Sequence, residues 1–110
     1  MLETAIVMEK ALQSFPPLGK RGQLLVVDDD QEIQMLLSRT LSSQGYDVTV
    51  AGNGLEAMTF LLTGSYDWVI TGFQMPLMNG WELARLVKEQ FPETPVFVAR
   101  GSVTIGIGNS

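Results

Sequence analysis

Short apolar runs alternate with stretches of helical period along most of this chain. Leu24-Leu25-Val26-Val27 is a continuous apolar run closed by acids, the pattern of a strand buried on both faces. Ile33, Leu36, Leu37, Thr40 and Leu41 then recur at helical spacing over residues 31–44, and Gly45 supplies the stop. Tyr46, Val48 and Val50 alternate, which predicts a second strand. Asn53 suits the N-cap of a helix running through Leu62, with Gly64 closing it. Trp68 to Thr71 predict a third strand. Asn79, with Glu82 placed as in a capping box, opens a further helix that turns Leu83, Leu86 and Val87 inward. Pro92 and Pro95 bracket the turn into a strand over residues 96–100. Strands alternating with helices imply an α/β fold: a parallel, doubly wound sheet with right-handed crossovers.

Two end segments stand apart from this alternation. Leu2, Ala5, Ile6, Glu9 and Leu12 suggest an extra N-terminal amphipathic helix, widened by Val7, Met8 and Ala11 and ended by Phe15-Pro16-Pro17. Residues 16–22 read as a Pro/Gly linker, and a frayed leader is the competing reading. Residues 102–110 are too few for a helical crossover and a parallel strand. Val103, Ile105 and Ile107 alternate, and Gly101-Ser102 suits a tight turn, so a short antiparallel strand or tail is expected. The division is therefore residues 1–22 for helix and linker, 23–101 for the α/β domain, and 102–110 for the strand or tail.

Composition narrows the function classes. At 110 residues the chain is one small domain with a modest core. It has no cysteine and no histidine, which excludes disulfides, thiolate metal sites, a histidine base and a phosphohistidine carrier. A net charge of -5 with no basic run argues against nucleic-acid binding. Met1-Leu2-Glu3-Thr4 lacks a basic leader, and no apolar run reaches membrane-spanning length, so a cytoplasmic protein is expected.

The acids Asp28-Asp29-Asp30 after the first strand are followed in order by Gln74-Met75-Pro76, by Met78-Asn79-Gly80, and by Thr94-Pro95-Val96-Phe97-Val98. From about Gln23 to Gly101 the chain thereby resembles a bacterial response-regulator receiver domain. The resemblance implies a flavodoxin-like strand order 2-1-3-4 and a place in two-component phosphorelay signalling, with histidine kinases or other two-component proteins as partners. In that family the acidic pair helps hold Mg²⁺, and an aspartate ending the third strand accepts the phosphoryl group. A Thr or Ser hydroxyl ending strand four and a Lys ending strand five bind its remaining oxygens.

By position Asp28 and Asp29 match the acidic pair, and the Gln74 carbonyl matches the backbone ligand. Gly72 stands at the phosphoacceptor position, Arg100 stands at the hydroxyl switch position, and the chain ends before any lysine. The expectation is a degenerate, C-terminally truncated receiver that is not an enzyme and acts by protein–protein interaction. Its relic pocket of Asp28, Asp29 and Asp30 would hold Mg²⁺ weakly, at Asp28, Asp29 and Gln74, and no other cofactor is expected.

Each feature has a plainer reading beside the functional one. The three aspartates suit the cap and macrodipole of the following helix. Met75-Pro76 and Asn79-Gly80 suit a turn, Trp68 suits strand packing, and Trp81 suits the core better than an exposed partner contact. Space beside Gly72 would let the Arg100 guanidinium reach Asp28 or Asp29 in fork geometry. Two other functions compete: a phosphorylatable receiver using another carboxylate with Mg²⁺, and a haloacid-dehalogenase-like phosphatase fragment, for which no later lysine and acidic motif follows. A sheet without a fifth parallel strand and its helix leaves an edge and apolar faces open. A homodimer that exchanges the N-terminal helix or the 103–107 strand is expected, with cover inside one chain as the alternative.

Overall fold

The computed structural model describes residues 22–100 and 103–107, with side chains from 22 to 99. In chain order the elements are β1 (Gln23–Val27), α1 (Gln31–Ser43), β2 (Asp47–Ala51), α2 (Gly54–Thr63), β3 (Trp68–Gly72), α3 (Gly80–Gln90), β4 (Val96–Arg100) and β5 (Val103–Ile107). They form one sheet in the order β2-β1-β3-β4-β5. The first four strands are parallel, in the 2-1-3-4 order of the flavodoxin-like fold. β5 runs antiparallel to β4, with Phe97 opposite Ile107 and an irregular register between Val98 and Ala99.

Side chains alternate across each strand, so the sheet sorts its apolar residues into two cores. Leu24, Val26, Trp68, Ile70, Phe97 and Ala99 share one face with Ile33, Leu37 and Leu41 of α1. Leu25, Val27, Val69, Val96 and Val98 turn to the other face, against Ala57 and Leu61 of α2 and Leu83, Ala84 and Val87 of α3. Trp68 stacks on Phe97, with ring centroids 6.2 Å apart and planes 11° from parallel.

Each helix begins at a side-chain cap. Asp30 accepts from the amides of Glu32 and Ile33, and Asn53 accepts from that of Glu56. Asn79 and Glu82 complete a reciprocal capping box. α1 ends one residue before the expected limit, with Gln44 as its C-cap, and Gly45 takes φ 98°, a conformation that favours glycine.

Two expectations on α3 need correction. Ala84 is buried where Leu86 was expected, and Leu86 lies half-buried at the margin. Trp81 is 47% exposed rather than packed in the core. α3 meets the sheet along Leu83, Ala84 and Val87, which leaves position 81 on the outer side of its first turn. The expected N-terminal helix lies outside the described residues.

Candidate functional site

β1 and β3 are parallel neighbours whose ends stand side by side, with Val27 paired to Thr71. The chain leaves β1 for one face of the sheet and β3 for the other, because α1 and α3 pack in opposite cores. The crevice at such a divergence, beyond the carboxyl ends of the strands, is where open α/β sheets bind ligands. Asp28 and Gly72 both lie there.

Asp28 is held from three sides. Its amide donates to the Ala51 carbonyl at 3.0 Å, and its own carbonyl accepts from Gln34 Nε2 at 2.5 Å. Its Oδ1 accepts from the Asp30 amide at 2.9 Å. The side chain is buried, and that desolvation pushes its pKa above the usual carboxylate value. The charges of Asp29 and Asp30 push the same way, and the Asp30 amide opposes them. Asp29 is exposed, while Asp30 is occupied as the cap of α1.

The Asp28 carboxylate reaches across to β3. A β-carbon added at Gly72 would lie 2.7 Å from Asp28 Oδ2 and 3.5 Å from its Cγ. The space that a side chain at 72 would enter is thus bordered by the one buried carboxylate of the crevice among the described residues.

The loop after β3 is fixed by backbone contacts. The Thr71 hydroxyl donates to the Gly72 carbonyl at 2.9 Å and lies 3.7 Å from Met75 Sδ. The Gly80 amide donates to the Phe73 carbonyl at 2.7 Å. A β-carbon on Gly80 would strike the Gly72 carbonyl oxygen, so α3 can start this close to β3 only with glycine at its first position. Gln74 and Pro76 are exposed and Met75 is half-buried. Leu77, 77% exposed, takes φ 74°, the left-handed region that side chains other than Asn and Asp rarely adopt. Met78 sits over Gly54 at the start of α2, where an added β-carbon would meet its Sδ at 2.7 Å.

Of the residues singled out in the sequence, Asp28 and Gly72 come together, while the Asp30 side chain turns to the cap of α1 and that of Asp29 is exposed. The backbone of Arg100 pairs with Val103, and its side chain lies outside the described residues, as does the expected pairing with an aspartate. Among the described residues no three His, Cys, Asp or Glu side chains gather as metal ligands. Gln34, Thr71 and the close approach of Gly80 to Gly72 were not singled out in the sequence. The Asn-Gly dipeptide was the only signal for the last of these, and it reads equally as a turn.

The sequence profile of the response regulator receiver domain matches residues 24–104. The chain belongs to that family. This receiver is 36% identical over 95 residues to the sensor protein EvgS of Escherichia coli, a match covering 86% of this chain and 8% of that protein. It is 30% identical over 83 residues to the transcriptional regulatory protein CusR of the same species, covering 76% of this chain and 37% of CusR. The receiver thus spans only a fraction of the length of these relatives.

Among solved structures, chemotaxis protein CheY4 of Vibrio cholerae matches with a TM-score of 0.68 at 32% identity, over 71% of this chain and 67% of that one. The response regulator TrrA of Thermotoga maritima, in complex with Mg²⁺ and BeF, matches with a TM-score of 0.65 at 35% identity, over 67% of this chain and 64% of that one. Among the described residues no helix is long and apolar enough to cross a membrane.

Proposed function

We propose that this receiver acts by protein–protein interaction in two-component signalling and does not take phosphate at position 72. The observation that supports this reading is the pairing of Gly72, which has no nucleophile, with the buried Asp28 carboxylate beside it. A receiver that accepts phosphate needs an ionised, accessible carboxylate. Asp28 is the nearest candidate, but its Oδ1 is engaged by the Asp30 amide and burial disfavours its charged form.

The same geometry fits Mg²⁺ poorly. That ion demands near-octahedral oxygen donors, and here one carboxylate is missing, one is buried against a backbone amide, and Asp29 faces solvent. Asp28, Asp29 and the Gln74 carbonyl are the donors that remain. Asp30 serves as the helix cap. The partners would be histidine kinases or other two-component proteins, in the cytoplasm.

Incubation with a small phosphodonor and Mg²⁺, followed by intact-mass measurement, tests the proposal. The expected result is an unmodified mass. A gain that hydroxylamine removes would overturn action by protein–protein interaction alone and direct attention to Asp28 or Asp29. In the same vein, Mg²⁺ with fluoroberyllate, the pair present in the TrrA structure, should leave the tryptophan emission of this receiver unchanged.

Self-association is the second part of the reading. β5 closes the sheet order, and its outer edge pairs with no described strand. An open edge is a template for a second chain. Light scattering over a concentration series should show a mass above that of the 12.1 kDa chain, and a mass that stays at the monomer value at high concentration rejects it.

A further inference from the structure

The two faces of the sheet are covered unequally by the described helices. α2 and α3 share one face, whereas α1 is alone on the other and packs on β1 and β2. The β3–β4 half of that second face carries Trp68, Ile70 and Phe97. Yet Trp68 is only 7% exposed, Phe97 6% and Ile70 1%. β5 cannot supply the cover, because it extends the sheet in its own plane beside β4. Two stacked aromatic rings facing water would leave an apolar patch of a few hundred Å², about the upper limit for a monomer.

We infer that residues 2–12 of this same chain dock on that half-face, over Trp68, Ile70 and Phe97. Those residues lie outside the described ones, and three observations favour them as the occupant. First, the chain arrives beside Trp68. Gly22 O accepts from the Asp47 amide at 3.0 Å, Gln23 O accepts from the Asp67 amide at 2.8 Å, and Leu24 pairs with Trp68 in register.

Second, the reach is sufficient. The linker 16–22, at about 3.3 Å per extended residue, spans roughly 20 Å. From β1 across β3 to β4 is two strand spacings, about 10 Å. Third, the pattern fits. Leu2, Ala5, Ile6 and Leu12 recur at helical spacing around Glu9 and offer an aliphatic stripe, interrupted by that one carboxylate, to an aromatic surface. This inference is independent of the phosphate chemistry at position 72.

The absence of cysteine makes the contact measurable in the full chain. Ile6→Cys, labelled with bimane in a Trp81→Phe background, leaves Trp68 as the only tryptophan that can quench it, and the Trp68→Phe comparison separates its effect from that of the tyrosines. Strong quenching is expected, with a several-fold rise in emission on Trp68→Phe and no change on mixing with excess unlabelled, tryptophan-free chain. Emission that does not respond to Trp68→Phe overturns the docking. Quenching that falls on mixing places the segment on a second copy and also overturns docking within the chain.

A second variant covers the case in which Trp68→Phe unfolds. Ile6→Asp with Trp81→Phe should red-shift the Trp68 emission and raise its acrylamide quenching while the far-UV circular dichroism persists. Unchanged emission and quenching in that variant would equally reject the inference.

Discussion

A β-carbon placed on Gly72 would stand 2.7 Å from Oδ2 of Asp28. The two positions share one space: the end of the Asp28 side chain borders the volume that a β-carbon on residue 72 would enter. Its Oδ1 meets the Asp30 amide and so leads the chain into the cap of α1.

A double-mutant cycle measures the coupling between them. Gly72→Ala alone should destabilise by about 1 kcal/mol, because the end of the Asp28 side chain must swing away from the new methyl group. In an Asp28→Ala background the same substitution should cost about 1 kcal/mol less. Additive effects in urea denaturation would show that the two side chains do not compete for one space.

An aspartate introduced at position 72 should not by itself make the chain take up phosphate. Gly72→Asp brings a second carboxylate against Asp28, whose charged form is already disfavoured by burial. Little phosphorylation by a small phosphodonor is expected from this variant. Rapid stoichiometric labelling would mean that Asp28 moves easily to make room for a metal.

The pH dependence of stability follows from Asp28. Its folded pKa is raised from the ordinary 3.8, so the folded state holds the proton more tightly than the unfolded chain does. The stability it contributes is fully present below the unfolded value and is lost as pH rises through the folded pKa. Asp28→Asn, which keeps an oxygen for the Asp30 amide, should therefore be more stable than the parent at pH 7. The gain should shrink as pH falls below about 4. Denaturation midpoints at both pH values check this, and a gain that grows in acid contradicts it.

Gly80→Ala should be among the most damaging single substitutions in the chain. The added methyl meets the backbone carbonyl of Gly72 and the α-carbon of Phe73, neither of which can rotate away. A loss of about 3 kcal/mol or more is expected, since overpacking here must separate α3 from β3. Thermal or urea denaturation reads it directly.

Leu77→Asn should act in the opposite direction. Leu77 is 77% exposed with φ 74°, so the substitution sacrifices little burial and relieves a conformation that costs a leucine roughly 1–2 kcal/mol. A gain of about 1 kcal/mol is expected, and a loss would show that Leu77 packs on something in solution.

Much of the fold follows from local signals in the sequence. The run Leu24–Val27 must be buried on both faces, and parallel strands covered by helices provide that. Asn53 and Asn79 cap the helices they were expected to cap, because capping involves only a side chain and an amide three residues ahead. That residue 72 carries no carboxylate needs no structure to recognise: no fold can supply one to a glycine.

Other features were decided only when the elements packed. A helical period names a stripe but not the angle at which the stripe meets a sheet, so Ala84 rather than Leu86 is buried and Trp81 faces outward. Three adjacent aspartates look alike in the sequence. The strand end buries Asp28, the turn exposes Asp29, and the helix takes Asp30 as its cap. The left-handed Leu77 and the Gly80–Gly72 approach arise because α3 starts against the end of β3, forcing the loop between them into a tight path. Local sequence fixes which groups are present and how each segment prefers to fold. Which carboxylate fills the space beside Gly72 depends on residues 44 apart in the chain, and only the packing of β1 against β3 brings them together.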